Sequence, residues 1–223
     1  MKTKAVVLLS GGLDSAVTLY SALKKGYDCY CLAFDYGQRH TKEMRCSRRL
    51  AAATGCVFKT VKLNFPWRGS SLLDEGLDIP EYRSIQEIES GGIPNTYVPA
   101  RNSIFLSIAC SYAEAIGARR VFIGAHVQDS SGYPDCREGY LKAFDRALRL
   151  GTKAGLGKRL RLEFPLIKKT KKNIVLLGKK LGVPFRLTWS CYKGGAKACG
   201  RCDSCILRAR GFRQAGLEDP VAA

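Results

Sequence analysis

The feature that most constrains the fold is a short apolar run near the N-terminus that passes directly into a loop of small residues. Residues 5–9 (Ala-Val-Val-Leu-Leu) are uninterrupted apolar positions, as expected of a strand that is buried on both faces. Ser10, Gly11 and Gly12 then predict a tight turn, and from Ser15 onward apolar residues recur at helical spacing. A strand, a loop and a helix in this order are typical of a parallel α/β sheet.

The loop after this strand suits a phosphate group. The first amides of a helix have no partners within it, and the helix dipole adds partial positive charge there. Gly11 and Gly12 let the backbone approach an anion closely, while Ser10 and Ser15 add hydroxyl donors. Asp14 would either hold Mg²⁺ on the phosphates or cap backbone amides. An ordinary strand-to-helix turn capped by serine and aspartate is the alternative interpretation.

Further strands and helices predict a doubly wound, mostly parallel, Rossmann-like α/β sheet. The expected strands are residues 29–34, 57–63, 120–125 and 160–166, with helical patterns between them. We expect residues 1–185 to form the nucleotide-binding domain and residues 186–223 a small zinc-binding region. Residues 64–100 are rich in Gly, Pro, Ser and Asp, and so long a loop predicts a substrate-binding insertion.

Polar residues follow the predicted strands, where open α/β sheets place their ligands. Asn102 is expected to cap the helix that follows the insertion, and Arg101 beside it is either a surface residue or a contact for phosphate or carboxylate. Asp129 and Asp135 are candidates for a base edge or Mg²⁺. His126 is interpreted as a structural histidine.

Two further residues near the predicted site have competing interpretations. Lys171 sits in the first turn of a predicted helix, where it opposes the dipole, so it either contacts phosphate or merely belongs to a crowd of four lysines. Cys136 as a nucleophile is a weaker alternative, since His126 is the one histidine near it in sequence.

Four cysteines near the C-terminus predict a structural zinc site. Cys191, Cys199, Cys202 and Cys205 form the pattern C-x₇-C-x₂-C-x₂-C, whose two-residue gaps let sulfurs converge on one ion. A ferredoxin-type run would need another cysteine at position 209, which is alanine. The remaining cysteines fall largely in apolar patterns typical of core positions.

Charge and hydropathy limit the possible partners. The formal net charge is +18, and residues 149–180 hold eleven Lys or Arg and one acid. This charge indicates either a polyanionic partner such as RNA or solvated helix faces that also attract ATP and an anionic substrate. No run of about 18 apolar residues occurs, and residues 1–4 do not resemble a signal peptide. We therefore expect a cytoplasmic protein whose ten cysteines are reduced.

The order and spacing of several motifs resemble a known family. Ser10–Ser15 is similar to the pyrophosphate loop of N-type ATP pyrophosphatases. Together with other motifs it resembles the 7-cyano-7-deazaguanine synthase family. Those motifs are residues 34–40 (FDYGQRH), 94–102 (PNTYVPARN), 131–136 (SGYPDC) and the four-cysteine tail through Arg208. They extend over nearly the whole chain.

The resemblance implies an ATP-dependent ligase that makes 7-cyano-7-deazaguanine, the queuosine precursor, from 7-carboxy-7-deazaguanine and ammonia. ATP would activate the carboxylate and then the amide. The implied catalytic residues are Asp14, Arg101 and Lys171. The implied ATP-binding residues are Leu9, Ser10, Gly11, Gly12, Leu13, Asp14, Ser15, Phe34 and Gly124, and the implied substrate-binding residues are Arg101, Asn102, Asp129, Tyr133 and Asp135. It also implies one structural Zn²⁺ per chain, Mg²⁺ with ATP, a homodimer, and no requirement for nucleic acid or a membrane.

The chain departs from the family pattern at four positions. Ala100 replaces glycine, Ser130 an aromatic residue, Phe164 threonine and Asn173 glutamate. Two other functions share part of the pattern: a tRNA-thiolating enzyme with the same loop, and a zinc-dependent RNA-binding module.

Overall fold

A computed structural model describes residues 2–126, 132–157 and 159–222, in which five parallel strands form one sheet of order β3-β2-β1-β4-β5. The strands are β1 Lys4–Leu8, β2 Asp28–Asp35, β3 Val57–Lys62, β4 Arg120–Phe122 and β5 Arg161–Glu163. The helices are α1 Leu13–Lys24, α2 Lys42–Ala53, α3 Ile85–Ser90, α4 Arg101–Ala115, α5 Glu138–Gly151, α6 Lys153–Leu156, α7 Lys171–Leu181 and α8 Asp203–Gln214. The predicted doubly wound parallel sheet is confirmed.

Strand β1 lies at the centre of the sheet, paired with β2 on one side and β4 on the other. From β1 the chain proceeds outward through β2 to β3, and then returns past β1 to add β4 and β5. The winding direction therefore reverses between β1 and β4. Open α/β sheets bind ligands at the carboxyl ends of the strands beside such a reversal.

Helices cover both faces of the sheet, so successive residues of a strand pack into two different core clusters. Ala5 and Val7 of β1 pack in one cluster with α1 and α7, whereas Val6 packs in the other with α4 and α5. This arrangement explains why β1 is apolar at consecutive positions instead of alternating.

The long insertion and the C-terminal region contain structure that the sequence pattern did not predict. Helix α3 lies inside the insertion and begins with a capping box, in which Ser84 accepts from the Glu87 N–H and the Glu87 side chain accepts in return. Helix α8 packs on α7 and adds Phe212 to the core cluster that contains α1. The domain boundary after residue 185 stays a prediction.

Among the residues that the structure describes, no helix combines the length and the apolar character that crossing a membrane requires.

Candidate active site

The loop between β1 and α1 is shaped by its contact with α2. Gly11 has φ +92°, and a Cβ at this position would lie 2.1 Å from the carbonyl oxygen of Glu43. Only glycine avoids both the strained backbone and the clash. Ser15 Oγ accepts from the Gly11 N–H at 3.2 Å, and Ser10 Oγ accepts from the Gly12 N–H at 3.2 Å. The loop thus places amides and hydroxyls at the N-terminus of α1, as a phosphate site needs.

A cavity of about 270 Å³ opens beside this loop, at the carboxyl ends of β1, β2 and β4. Most of the predicted site residues line it: Leu9, Ser10, Gly12, Asp14, Ser15, Phe34, Arg101, Asn102, Gly124 and Tyr133. Gly11 and Leu13 belong to the same loop, whereas Asp135 and Lys171 contact residues of the cavity wall. Asp129 lies outside the described residues. The sequence motifs are therefore brought together at one place.

One wall of the cavity is aromatic. The Phe34 and Phe105 rings are stacked with centroids 4.0 Å apart and planes 2° apart, and the Tyr36 ring is 5.4 Å from that of Phe105. Arg101 donates from Nη1 to the Tyr36 hydroxyl at 3.1 Å. The wall thus offers flat apolar surface beside a guanidinium, which suits a planar heteroaromatic ring that carries negative charge.

The predicted cap of α4 is wrong. The helix begins at Arg101, after Ala100 in a left-handed conformation (φ +52°, ψ 24°), so Asn102 lies within the first turn. Its main-chain N–H is capped instead by Asp135, whose Oδ2 accepts at 2.9 Å. Asp135 is buried, and its Oδ1 has no hydrogen-bond partner among the described residues. The Asn102 amide meanwhile donates to Cys136 Sγ at 3.2 Å.

The insertion contributes directly to the cavity. Leu72 lines it, and the Thr96 and Tyr133 hydroxyls are 2.6 Å apart. Arg39, also in the cavity wall, donates to the carbonyl oxygens of Asp74 and Leu77 and so holds the insertion against the end of β2.

Asp14 forms an ion pair with Lys171 that joins α1 to α7. Lys171 Nζ lies 3.1 and 3.0 Å from the two Asp14 carboxylate oxygens. Burial disfavours the charged carboxylate, but its two neighbours, Lys171 first and then His126, together outweigh this cost and hold the pKa of Asp14 well below its ordinary value. His126 is fully buried beside the pair, with Nε2 2.8 Å from Lys171 Nζ. Asp14 on α1 therefore offsets the unfavourable position of the Lys171 charge in the first turn of α7.

Glu43 was not identified from the sequence. Glu43 lines the cavity, and its side chain has neither a hydrogen bond nor an ion pair among the described residues. Burial raises the pKa of Glu43 to about 7, although Arg101 acts in the opposite direction. Its place in the first turn of α2 resembles ordinary helix-terminus compensation, which is why the sequence did not reveal it.

The four predicted cysteines converge. The sulfurs of Cys191, Cys199, Cys202 and Cys205 all lie within 4.8 Å of one another. Cys199 Sγ and Cys205 Sγ are 3.9 Å apart, close to the ~3.8 Å between thiolates that surround a tetrahedral zinc ion at ~2.3 Å. Main-chain N–H groups donate to the sulfurs of Cys191 and Cys199 at 3.4 Å, which would stabilise thiolates. The cluster is compatible with a zinc site.

The fold and the loop together define a class of protein. A solved NMN synthetase from Francisella tularensis shares the fold, with a TM-score of 0.51 at 19% identity across 97% of this chain and 79% of that one. The chain is therefore a doubly wound α/β protein that shares the fold of that synthetase.

The family follows from closer relatives. Residues 4–216 match the family model described as "Queuosine biosynthesis protein QueC". The 7-cyano-7-deazaguanine synthase of Thermoplasma acidophilum is 52% identical over 220 residues, which cover 99% of this chain and 92% of that protein. The Nostoc sp. protein of the same name is 52% identical over 222 residues, or 98% of this chain and 96% of that one. The chain belongs to the QueC family, which confirms the resemblance seen in its motifs.

Proposed function

We propose that this chain is a C–N-bond-forming ligase that converts 7-carboxy-7-deazaguanine and ammonia into 7-cyano-7-deazaguanine with the use of ATP. The names of its relatives support this proposal. The structural observation that carries it is the single cavity in which the loop before α1, the stacked Phe34 and Phe105, and Arg101 meet.

The loop and its surroundings form the proposed ATP site. The set is Leu9, Ser10, Gly11, Gly12, Leu13, Asp14, Ser15, Phe34 and Gly124. A Cβ on Gly124 would lie 3.1 Å from the Asp14 main chain, so the end of β4 closes one side of the loop. The amides at the start of α1 would bind the phosphates, and Phe34 would contact adenine. Mg²⁺ would accompany ATP and offset its charge, with Asp14 as a candidate ligand.

The proposed substrate site uses residues around the start of α4. Arg101 would bind the substrate carboxylate, because a guanidinium offers paired donors to it. Asp135 Oδ1 has no partner in the part of the chain that the structure describes, and it would accept an N–H from the aminopyrimidinone ring. Asn102 and Tyr133 complete the contact set, and Asp129 is retained in it although it lies outside the described residues.

The chemistry requires ATP because a carboxylate oxygen is a poor leaving group. Transfer of a phosphoryl or adenylyl group from ATP to that oxygen creates an anhydride. Ammonia attacks its carbonyl carbon, the C–O bond breaks, and phosphate or AMP leaves with loss of one proton to give the amide. A second activation, at the amide oxygen, lets that oxygen leave as the nitrogen loses its two protons and forms the nitrile. Lys171 and Arg101 would stabilise the negative charge that develops on the oxygens, with Asp14 holding Lys171 in place.

The cysteine cluster would hold one structural Zn²⁺, since four thiolates leave no position open for a reactant. All ten cysteines are free, which fits a reducing compartment, so a cytoplasmic location belongs to the proposal. A homodimer and independence from nucleic acid are proposed from the family resemblance.

The test is a reaction with isotopically labelled ammonium. The purified chain is incubated with ATP, Mg²⁺, [¹⁵N]ammonium and 7-carboxy-7-deazaguanine, and the products are analysed by mass spectrometry. We expect a nitrile that contains ¹⁵N, and the appearance of AMP or ADP identifies the bond that is cut. Reactions without ATP or with the Asp14→Asn variant serve as controls. Absence of labelled nitrile from the wild-type reaction would overturn the proposal, and parallel incubation with tRNA would reveal thiolation instead.

A further inference from the structure

The structure gives the Lys171 ammonium two different acceptors. Lys171 Nζ lies 3.0 and 3.1 Å from the oxygens of Asp14 and 2.8 Å from Nε2 of His126. His126 has no exposed surface, and Lys171 is 9% exposed. The three side chains come from α1, from the segment after β4, and from the first turn of α7. They therefore meet beneath the proposed phosphate loop.

The chemistry of these groups determines the tautomer of His126. An ammonium donates three hydrogen bonds and accepts none, so the His126 nitrogen that faces it must carry a free lone pair. The same Nε2 lies 3.7 Å from Asp14 Oδ2, too far for a hydrogen bond to that carboxylate, so the geometry favours a neutral ring with its proton on Nδ1. Lys171 consequently binds one acceptor that is negatively charged and one that is neutral.

These two acceptors would behave differently when ATP enters. The carboxylate of Asp14 would compete with the phosphates for the lysine charge, and it would also be available as a ligand for Mg²⁺. A neutral imidazole neither cancels the lysine charge nor repels phosphate. The His126 imidazole therefore holds Lys171 Nζ in the same position even when the Asp14 side chain changes its rotamer.

We infer that His126 is a positioning residue, which orients the Lys171 ammonium toward the phosphates of the nucleotide through a hydrogen bond accepted at Nε2. This inference rests on the proposed function. Its test measures binding of an ATP analogue, so its outcome can be distinguished from failure of the nitrile-forming reaction. Nothing in the inference requires His126 to touch ATP or the substrate.

Three variants separate this role from simple packing. His126→Gln places its side-chain oxygen at about the reach of Nε2. His126→Asn is polar but too short, and its oxygen falls nearer the position of Nδ1. His126→Leu has a similar bulk and no acceptor. A role in packing alone predicts that leucine replaces histidine best, whereas a role as acceptor predicts that glutamine does.

The readout is binding of a non-hydrolysable ATP analogue with Mg²⁺, measured by calorimetry without the deazaguanine. We expect the glutamine variant to bind within threefold of wild type, and the asparagine and leucine variants to bind at least tenfold more weakly. In the complete reaction, kcat should fall in the same order, while KM for the carboxylate substrate changes little. Circular dichroism and zinc content verify that each variant is folded.

The outcomes are distinct. Wild-type affinity in both the leucine and the asparagine variants would overturn the inference, as would loss of binding in a folded glutamine variant. If the leucine variant does not fold, the comparison of glutamine with asparagine decides alone. Tight analogue binding by wild type without nitrile formation would contradict the proposed function and leave the His126 result interpretable.

Discussion

The main-chain N–H of Trp189 donates to the carbonyl oxygen of Gly11 at 2.9 Å, which ties the segment before the cysteine cluster to the proposed phosphate loop. The Trp189 indole nitrogen in turn donates to the Cys191 carbonyl oxygen at 2.9 Å. Lys42 of α2 lies 3.4 Å from the centroid of the Trp189 ring and donates to the Gly195 and Ala196 carbonyl oxygens. The cysteine cluster and the proposed phosphate loop are therefore connected through Trp189.

Loss of the metal should therefore weaken nucleotide binding. We expect Cys199→Ser to lose zinc, to lower the Tm by roughly 2–4 °C per kcal/mol of stability lost, and to bind an ATP analogue at least tenfold more weakly. Metal analysis, thermal melting and calorimetry measure the three effects. Cys56→Ser, at a half-buried cysteine outside the cluster, is the matched control and should keep its zinc. Unchanged nucleotide affinity in the zinc-free variant would contradict the coupling.

Lys171 and its neighbour offer a paired test of the proposed charge stabilisation. Lys171→Met removes the ammonium that faces Asp14, and kcat should fall by about 10²–10³, as when one preorganised donor to developing negative charge is removed. Lys172→Met removes the same charge from an exposed side chain in the same helix turn and should change kcat by less than about twofold. Steady-state kinetics on both variants measure this difference. An equal loss in the two would indicate that only overall charge matters.

Ala100 should be improved by glycine. The left-handed conformation of Ala100 costs a residue with a Cβ about 1–2 kcal/mol, and glycine avoids this cost. Part of the gain is lost because glycine also has more conformational freedom in the unfolded chain. Ala100→Gly should therefore raise the free energy of unfolding by about 0.5–1 kcal/mol, as measured by urea denaturation. Ala52→Gly, at an exposed position inside α2, should lower it by a similar amount. The prediction fails if both substitutions destabilise the protein.

Glu43 should make stability depend on pH. Its pKa rises from 4.5 to about 7 on folding, so the folded state holds the proton more tightly than the unfolded chain. Stability is then lost as the pH rises through this interval, by up to about 3 kcal/mol above pH 7. Glu43→Gln removes the cost of ionising this side chain in the folded protein. The gain of the variant over wild type in free energy of unfolding should therefore be small near pH 5 and largest near pH 8.

Urea unfolding at several pH values measures the effect of Glu43. The exposed Glu75→Gln serves as the control, and its difference from wild type should not vary with pH. If the Glu43→Gln advantage were the same at pH 5 and pH 8, the carboxyl group would have an ordinary pKa in the folded protein.

The sequence predicted those features that depend on neighbouring residues. The strand and loop of residues 5–12 follow from local apolar pattern and small residues. The helix predicted around Lys171 is α7, which begins where the Thr170 side chain accepts from the Asn173 N–H at 3.3 Å. The C-x₂-C spacing likewise brought the cysteines together. Each of these features is determined within about a dozen residues of chain.

The features that the sequence did not reveal arise from contacts between distant segments. Asp135 replaces the expected cap because α4 begins two residues early, after the left-handed Ala100, and its first N–H groups face another segment. Helix α8 is polar along most of its length, and Phe212 finds its partners only after α7 is in place. The pKa of Glu43 is raised only because folding buries its side chain in the cavity wall.

The pairing of Asp14 with Lys171 joins residues 157 positions apart, and Trp189 reaches Gly11 from still farther along the chain. During synthesis the loop leaves the ribosome before Lys171, which pairs with Asp14, and before Trp189, which donates to Gly11. A nascent chain thus cannot form both of these contacts to the proposed phosphate loop until residue 189 has been translated.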